Sequence, residues 1–231
     1  MEIMIVTGAA GNLGRAISTR LLAAGAQVIA LDRPGPGLDA LANLPGADHL
    51  QTLPVADLTD EAATTAAIAS VIARHGRIDG VAHTVGGFAM GGIAASGPAL
   101  WEEMFRLNVL TTLNVLRAAA VPMQAAGRGS LVAVGAGAAL RAPAGMAAYA
   151  ASKSAVLRLV ESLADELKAT GIRVNSVLPG TMDTPQNRAA MPDADPALWT
   201  RPDEVALTIA FLLSADASGI TGAHLPVPGR G

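Results

Sequence analysis

The stretch Thr7-Gly8-Ala9-Ala10-Gly11-Asn12-Leu13-Gly14 follows a short β-branched run, Ile3 to Val6, and opens a helical pattern that runs toward Leu22. Glycines let a backbone approach a pyrophosphate closely, and a helix N-terminus offers unpaired N–H groups and a positive dipole end to an anion. The stretch therefore indicates a dinucleotide site at a strand-to-helix turn. On these residues alone, a tight turn without a ligand and the similar turn of methyltransferases stay open as alternatives.

Short runs of β-branched residues alternate with alanine-rich stretches of helical spacing along the rest of the chain. The stretch from Ser152 to Lys168 is the clearest helix, because its apolar residues recur at intervals of three and four. Strands joined by crossover helices predict an α/β fold: a Rossmann-type doubly wound parallel sheet with about seven strands and helices on both faces. The predicted strands are Ile3 to Val6, Gln27 to Leu31, Leu50 to Val55, Ile78 to Ala82, Ser130 to Val134, Arg173 to Leu178 and His224 to Val227.

Composition limits the classes of protein to consider. With 231 residues, 51% apolar and 15% charged, the chain is expected to form one compact domain over 1–231. A net charge of −3 without a basic cluster argues against a nucleic-acid partner. The absence of cysteine excludes disulfides and thiolate chemistry, and isolated histidines predict no metal site. No apolar run is long enough to span a membrane, so we expect a soluble, cytoplasmic protein with no membrane partner.

The residue after the second predicted strand bears on the choice of nucleotide. Asp32 lies 18 positions after Gly14, where a carboxylate can accept hydrogen bonds from ribose hydroxyls and repel a 2′-phosphate. This favours NAD(H) over NADP(H). Arg33 argues the other way, because a guanidinium there can pair with a 2′-phosphate. A turn residue ahead of Pro34 is the interpretation of Asp32 that needs no ligand.

The candidate chemistry lies at the start of the long helix. Tyr149 and Lys153 are four residues apart, so the phenol and the ammonium share one helical face. A nearby cation stabilises phenolate and is expected to lower the tyrosine pKa from its ordinary value of about 10. The pair would then act as a general acid. The alternative is a helix-face tyrosine beside a solvated lysine.

Taken in chain order, these motifs resemble the short-chain dehydrogenase/reductase family over nearly the whole chain. The resemblance implies an NAD(P)(H)-dependent oxidoreductase that transfers a hydride to or from a small carbonyl, imine-like or quinonoid substrate, with Tyr149 as general acid/base. It also implies a homo-oligomer, dimer or tetramer. The motifs are Thr7 to Gly14, Asp32, Asp57-Leu58-Thr59, Asn108, Tyr149-x-x-x-Lys153 and Pro179 to Thr184.

The resemblance also implies the roles of single residues. Lys153 would hold the nicotinamide ribose and tune Tyr149, and Asn108 would support a water in a proton relay, which makes these three residues the catalytic set. Asp57 and Leu58 would border the adenine. The implied nucleotide-binding residues are Gly8, Gly11, Asn12, Leu13, Gly14, Asp32, Arg33, Asp57, Leu58, Val85, Gly86, Tyr149, Lys153, Pro179, Gly180, Met182 and Thr184.

Three departures from the family pattern stand out. The serine that usually lies 13 residues before the tyrosine is Ala136, the usual Asn-Asn-Ala-Gly is His83-Thr84-Val85-Gly86, and Asn12 takes a position where glycine is commonest. Together with the segments 85–88 and 178–188, these departures resemble a dihydropteridine-reductase-like subgroup, which prefers NADH and also lacks the serine. We expect His83 to be a packed histidine and not a base.

A substrate lid is expected around 183–202, by resemblance, with Ala136, Phe88 and Trp199 as substrate residues. The missing serine also motivates a second function class, a catalytically weak NAD(H)-binding sensor or regulatory protein. The retained Tyr149, Lys153 and Asn108 favour the enzyme.

Overall fold

A single parallel sheet organises residues 1–230, the part of the chain that the computed structural model describes. Its seven strands run in the order β3-β2-β1-β4-β5-β6-β7. The predicted Rossmann-type sheet and all seven predicted strands are confirmed. The strands are β1 (Ile3–Thr7), β2 (Gln27–Asp32), β3 (Leu50–Pro54), β4 (Gly80–His83), β5 (Gly129–Val134), β6 (Ile172–Pro179) and β7 (His224–Val227).

Helices connect the strands, and α4 passes into α5 through a π-helical turn at Arg106–Leu110. The predicted long helix begins at Ala147, so that Tyr149 lies in its first turn, at the start of the helix as expected. Within residues 1–230, no helix is both long and apolar enough to cross a bilayer. The helices are α1 (Asn12–Ala23), α2 (Pro36–Asp39), α3 (Glu61–His75), α4 (Pro98–Phe105), α5 (Thr111–Ala126), α6 (Ala147–Leu167), α7 (Pro185–Ala190) and α8 (Pro202–Leu213).

The sheet separates two apolar cores. Strand β1 shows how one sequence serves both: Ile3 and Ile5 point toward the core formed with α3, α5 and α6, whereas Met4 and Val6 point toward the core formed with α1 and α8. Successive side chains of a strand lie on opposite faces, so a strand covered on both faces is apolar throughout. This explains why β1, β2, β4 and β5 are largely apolar runs in the sequence.

The strand order reverses at β1, which pairs with β2 on one side and with β4 on the other. The registers place Thr7 opposite both Leu31 and His83. The glycine turn after β1 therefore meets the carboxyl ends of β2 and β4. A reversal of this kind leaves a crevice at the carboxyl edge of the sheet, where ligands of doubly wound folds bind.

The C-terminal end of α8 is held by a side chain from β6. Arg173 donates from Nη1 to the carbonyl of Leu212 at 2.6 Å and from Nη2 to that of Ser214 at 2.9 Å. The Ser130 hydroxyl adds a hydrogen bond of 2.8 Å to Leu212. A cation at a helix C-terminus satisfies carbonyls that have no partner within the helix and complements the helix dipole. These contacts lock α8 onto the sheet.

We expect Arg173→Met to lower the free energy of unfolding by about 2 kcal/mol, because part-buried carbonyls lose a charged donor. Arg173→Lys keeps the charge but lacks the guanidinium that donates to two carbonyls at once. Its free energy of unfolding should fall by about half as much. Urea denaturation measures both values. Arg141→Met, which removes an exposed arginine that lies outside the helices, is the control and should change stability by less than about 0.5 kcal/mol. Equal losses for Arg173→Met and Arg141→Met would contradict this account of α8.

Candidate active site

A cleft of about 740 Å³ opens at the carboxyl ends of β1, β2 and β4. Most of the nucleotide-binding residues expected from the sequence line it. Pro179 and Gly180 instead pack at the end of β6, where the Gly180 N–H donates to the carbonyl of Val227. The expected residues in the wall are Gly8, Gly11, Asn12, Leu13, Gly14, Asp32, Arg33, Asp57, Leu58, Val85, Gly86, Met182 and Thr184.

The floor of the cleft is the glycine turn, which has no room for side chains. Gly8 has a left-handed backbone with φ of 67°, and a Cβ at Gly14 would lie 2.1 Å from the Gly8 carbonyl oxygen. Gly11 begins α1 with no side-chain cap, so the first N–H groups of the helix are left for a ligand. These features fit the pyrophosphate of a dinucleotide, which takes its hydrogen bonds from backbone N–H groups.

Asp32 is fixed at the wall of the cleft by two backbone donors. Its Oδ2 accepts from the N–H of Ala10 at 2.8 Å, and its Oδ1 accepts from the N–H of Arg33 at 2.7 Å. A carboxylate has about four acceptor positions, so both oxygens retain capacity for ribose hydroxyls. The exposed Arg33 side chain lines the same wall. Asp32, which favours a 2′-hydroxyl, and Arg33, which favours a 2′-phosphate, thus lie on the same wall of the cleft.

A second arginine, which the sequence analysis missed, lies at this end of the cleft. Arg106 approaches Asp57 at 3.7 Å from the π-helical turn. Hydrogen bonds from Thr59, first of all from its backbone N–H, hold the pKa of the Asp57 carboxyl below its ordinary value, and the charges of Arg106 and Arg33 lower it further. Arg106 lies two residues before Asn108 in a pattern typical of an ordinary helix, so only the fold shows that it faces the cleft.

The Lys153 ammonium is buried, and its Nζ donates to the carbonyl of Val134 at 2.8 Å. Burial disfavours the charged form and lowers the Lys153 pKa to about 8. Tyr149, one helical turn earlier, is half-buried, and burial raises its pKa to about 12. The predicted lowering of the Tyr149 pKa by Lys153 is wrong for the chain alone, because desolvation of the phenolate dominates. The phenol is therefore a fully protonated acid near neutral pH.

Asn108 ties the π-helical turn to the other two elements of the site. Its Oδ1 accepts from the Gly87 N–H at 2.9 Å, and its Nδ2 donates to the Gly87 carbonyl and to the Ser152 hydroxyl, both at 3.0 Å. Ser152 in turn donates to the backbone carbonyl of Tyr149 at 2.7 Å. The Asn108 amide is thus fully used in positioning Gly87 and α6.

Comparisons with known proteins match this arrangement. Residues 2–195 match the family model described as short chain dehydrogenase. The chain belongs to the short-chain dehydrogenase/reductase family. It is 30% identical to levodione reductase of Leifsonia aquatica over 99% of this chain and 93% of that protein. It is 34% identical to 2-(R)-hydroxypropyl-CoM dehydrogenase of Xanthobacter autotrophicus, over 99% of this chain and 97% of that protein.

A solved structure agrees with the family assignment. A short-chain type dehydrogenase/reductase from Mycobacterium ulcerans superposes with a TM-score of 0.91 at 34% identity, covering 99% of this chain and 89% of that one. The family binds NAD(P)(H). The two relatives are a reductase and a dehydrogenase by name, so both are oxidoreductases.

His83, which replaces the first asparagine of the usual family motif, is a buried structural residue. The Thr111 hydroxyl donates its one proton to the Leu107 carbonyl at 2.6 Å, so the 3.4 Å contact with His83 has Nε2–H as donor. The Nδ1 atom is then free to accept from the Thr7 hydroxyl at 2.8 Å. Burial, together with the Lys153 charge, lowers the His83 pKa to about 3. The imidazole is neutral and joins β1, β4 and α5.

The residues expected at the substrate lie in different places. Phe88 contacts Tyr149 edge to face, with ring centroids 4.9 Å apart. Ala136 is buried just beyond Val134, the partner of Lys153. Trp199 is buried elsewhere and lines a second cavity of about 500 Å³, together with Asp183, Arg188, Pro196, Ala197, Arg201 and Arg230.

The segment expected to form a lid contains α7 and contacts the glycine turn across the cleft. The Asn12 amide donates to Gln186 Oε1 in α7 at 2.9 Å. Asn12 is the residue that departs from the commonest family pattern, so the contact is made by this departure. Within residues 1–230, no three His, Cys, Asp or Glu side chains cluster as metal ligands would.

The buried Lys153 predicts a pH-dependent stability difference between the wild type and Lys153→Met. Between the native pKa of about 8 and the ordinary value of 10.5, the unfolded chain binds the extra proton, so the free energy of unfolding rises with pH. We expect the wild type to gain about 1 to 2 kcal/mol on the variant between about pH 8 and 9.5. Urea denaturation across this range is the measurement.

The other lysine of the chain, Lys168, is exposed and supplies the matched control. Lys168→Met should track the wild type without a trend over the same pH range. If the Lys153→Met and wild-type stabilities instead run parallel, the ammonium is not desolvated as described.

Proposed function

We propose that the protein is an NAD(P)(H)-dependent oxidoreductase that transfers a hydride to or from a small carbonyl, imine-like or quinonoid substrate, with Tyr149 as general acid/base. The observation that carries the proposal is the network at the end of the nucleotide cleft, in which Lys153 and Tyr149 share one face of α6 and Asn108 positions that helix. A network of this kind has a chemical use only beside a bound reactant.

In the direction of reduction, bound NAD(P)H supplies a hydride to the substrate carbon, so that ketone, NAD(P)H and one proton give alcohol and NAD(P)⁺. Tyr149 gives the proton from its hydroxyl to the substrate oxygen. The Lys153 ammonium offsets the negative charge that this leaves on the phenolate, which then takes a proton from solvent. Asn108 and Ser152 hold the backbone at Tyr149 so that the hydroxyl keeps its direction.

For the nucleotide we propose NAD(H) over NADP(H). The Asp32 carboxylate is held toward the cleft by the Ala10 and Arg33 N–H groups, where it can accept from ribose hydroxyls and repel a 2′-phosphate. Arg33 and Arg106 lie at the same end of the cleft, where their positive charges weaken the discrimination against NADP(H).

The substrate class follows from the absence of a hydroxyl at Ala136. A ketone oxygen that develops negative charge lacks one donor there, so acceptors that spread the charge over several atoms are favoured. A quinonoid or imine-like substrate, as in the dihydropteridine-reductase-like subgroup, is of this kind. Levodione reductase and 2-(R)-hydroxypropyl-CoM dehydrogenase have different substrates by name. Sequence identity to these two relatives therefore does not select a substrate for this chain.

A catalytically weak NAD(H)-binding sensor is the second candidate, and Ala136 is the observation that favours it. A lid function for 183–202, with Trp199 at the substrate, a homo-oligomeric state and a cytoplasmic location stay predictions. So does the absence of a metal cofactor. The Asn108 amide and the Lys153 ammonium are both held in place near Tyr149 by hydrogen bonds, and this ordered arrangement supports the enzyme over the sensor.

The nucleotide preference is tested by titration of NADH and NADPH. We expect the wild type to bind NADH more tightly, and Asp32→Ala to narrow the gap about tenfold by removing a charged acceptor and a repulsive charge. Asp32→Asn keeps a side-chain oxygen that can accept from the Ala10 N–H but carries no charge. It therefore separates the effect of the negative charge from the effect of this hydrogen bond. Equal or tighter NADPH binding by the wild type would refute the assignment.

Catalysis is tested by turnover of simple ketones, imines and quinonoid pterins with NADH. Tyr149→Phe should lower kcat at least about 100-fold while changing the NADH Kd less than about twofold. Ala136→Ser should raise activity about tenfold or more on simple ketones and less on quinonoid substrates.

Ala138→Ser, in the same turn, is the control and should change neither activity. Tight NADH binding without turnover of any substrate would favour the sensor. Full turnover by Tyr149→Phe would eliminate the proposed acid.

A further inference from the structure

His83 is a buried histidine whose two ring nitrogens contact different parts of the site. Its Nδ1 accepts from the hydroxyl of Thr7, the first residue of the glycine turn, at 2.8 Å. Its Nε2–H donates to the hydroxyl of Thr111 in α5 at 3.4 Å. Without this acceptor the buried N–H would have no partner within residues 1–230, and an unpaired buried donor is costly. The imidazole therefore connects the floor of the nucleotide cleft with α5.

The link continues from Thr111 into the π-helical turn. The Thr111 hydroxyl donates to the carbonyl of Leu107 at 2.6 Å, and the Thr112 hydroxyl donates to the carbonyl of Asn108 at 2.6 Å. In a π-helical turn a carbonyl pairs with the N–H five residues later, and here hydroxyls four residues later bind the carbonyls as well. The two threonines therefore help to hold the turn in its widened form, and with it the direction of the Asn108 amide.

The Asn108 amide connects that turn to the rest of the site. Its Oδ1 accepts from the Gly87 N–H at 2.9 Å, and its Nδ2 donates to the Ser152 hydroxyl of α6 at 3.0 Å. A backbone N–H exchanges its hydrogen with solvent when its hydrogen bond opens. The exchange rate of the Gly87 N–H therefore measures how firmly Asn108 is held.

A shorter side chain at position 83 could make only one of the two links. The amide of asparagine lies as far from the backbone as Nδ1 of histidine, and the amide of glutamine lies as far as Nε2. Each amide has an oxygen that accepts and an NH₂ group that donates. Asparagine, the usual residue of the family motif, can thus accept from Thr7 but stops short of Thr111. Histidine at this position adds the second link.

We propose that His83 is a positioning residue that serves the two halves of the site separately. Nδ1 holds the glycine turn through Thr7, and Nε2 holds, through Thr111, the π-helical turn that presents Asn108. The inference rests on the proposed function, in which the glycine turn binds the nucleotide and Asn108 positions the helix of Tyr149. A histidine that only stabilised the sheet would affect both halves together when replaced.

His83→Asn tests the link to the π-helical turn, because it keeps an acceptor for Thr7 and removes the donor to Thr111. In the free, full-length chain the Gly87 N–H should exchange at least about threefold faster, as measured by NMR. The Kd for NADH, measured by its fluorescence, should change less than about twofold. With a substrate that the wild type turns over, kcat at saturating NADH should fall at least about threefold.

His83→Gln tests the other link, because it keeps a donor for Thr111 and removes the acceptor for Thr7. The Kd for NADH should rise at least about threefold, and the Gly11 N–H, which donates to the Gly8 carbonyl at 3.1 Å, should exchange faster. Exchange of the Gly87 N–H should stay within about twofold of the wild type. The two amide variants are thus expected to give opposite results.

Two further substitutions remove the partner hydroxyls and leave the histidine in place. Thr111→Val should reproduce the result of His83→Asn, and Thr7→Val should reproduce that of His83→Gln. These variants decide the question if a His83 variant does not fold. Combining Thr111→Val with His83→Asn should add little to either change alone, because both break the same link.

His224 in β7 is the matched control, because both of its ring nitrogens are also bonded. Nδ1 lies 2.7 Å from the Ser176 hydroxyl, and Nε2 lies 2.8 Å from Glu161 Oε1. We expect His224→Asn and His224→Gln to lower the free energy of unfolding. Neither should change the Kd for NADH or the exchange of the Gly87 N–H by more than about twofold.

The outcomes separate this inference from the proposed function. Matching losses in His83→Asn and His83→Gln, or the same losses in the His224 variants, show a histidine that only stabilises the fold and overturn the inference. Unchanged NADH binding and unchanged Gly87 exchange in both His83 variants also overturn it. A wild type that does not bind NADH contradicts the proposed function, while exchange of Gly11 and Gly87 in the free chain still decides the role of His83.

Discussion

The buried ammonium of Lys153 is the constraint on which the rest of the site depends. A charge taken out of water is costly unless a partner compensates for it, and here the Val134 carbonyl is the partner. The neighbours are restricted accordingly. A side chain at Gly86 would begin 3.1 Å from Nζ and 2.6 Å from Asn108 Oδ1, so glycine is required there. His83 stays neutral because burial, and after it the repulsion of a second cation by Lys153, lowers its pKa.

The sheet makes this arrangement possible by bringing distant segments to one edge. The reversal of strand order at β1 places the glycine turn between the ends of β2 and β4, and Thr84 at the end of β4 donates to the Thr7 carbonyl at 2.8 Å. The cleft is thus fixed by backbone pairing before any ligand binds. Preorganisation of this kind spares the bound complex the entropy of ordering its own site.

The sequence predicted the inner strands well because both faces of the sheet are covered there, which leaves β1, β2, β4 and β5 as largely apolar runs. It also placed Tyr149 at the start of the long helix, and α6 begins two residues before it, at Ala147. The predicted direction of the Tyr149 pKa shift was wrong, because sequence spacing reveals a neighbouring charge but not the loss of water around the phenol. Arg106 was missed for a related reason: the π-helical turn that directs it to the cleft has no sequence signature that separates it from an ordinary helix.

Low polarity around Tyr149 and Lys153 governs the protonation of both groups. Burial moves the pKa of Tyr149 upward and that of Lys153 downward, which brings the lysine near the pH at which it gives up its proton. A substrate carboxylate in this setting would pull the Lys153 pKa back up and raise that of Tyr149 further, because a nearby anion favours ammonium and disfavours phenolate. A neutral ligand adds no charge to the pair, and the water that it excludes moves the two pKa values further in the directions that burial already gives them. The low polarity of the site therefore disfavours an anionic group beside Tyr149 and Lys153.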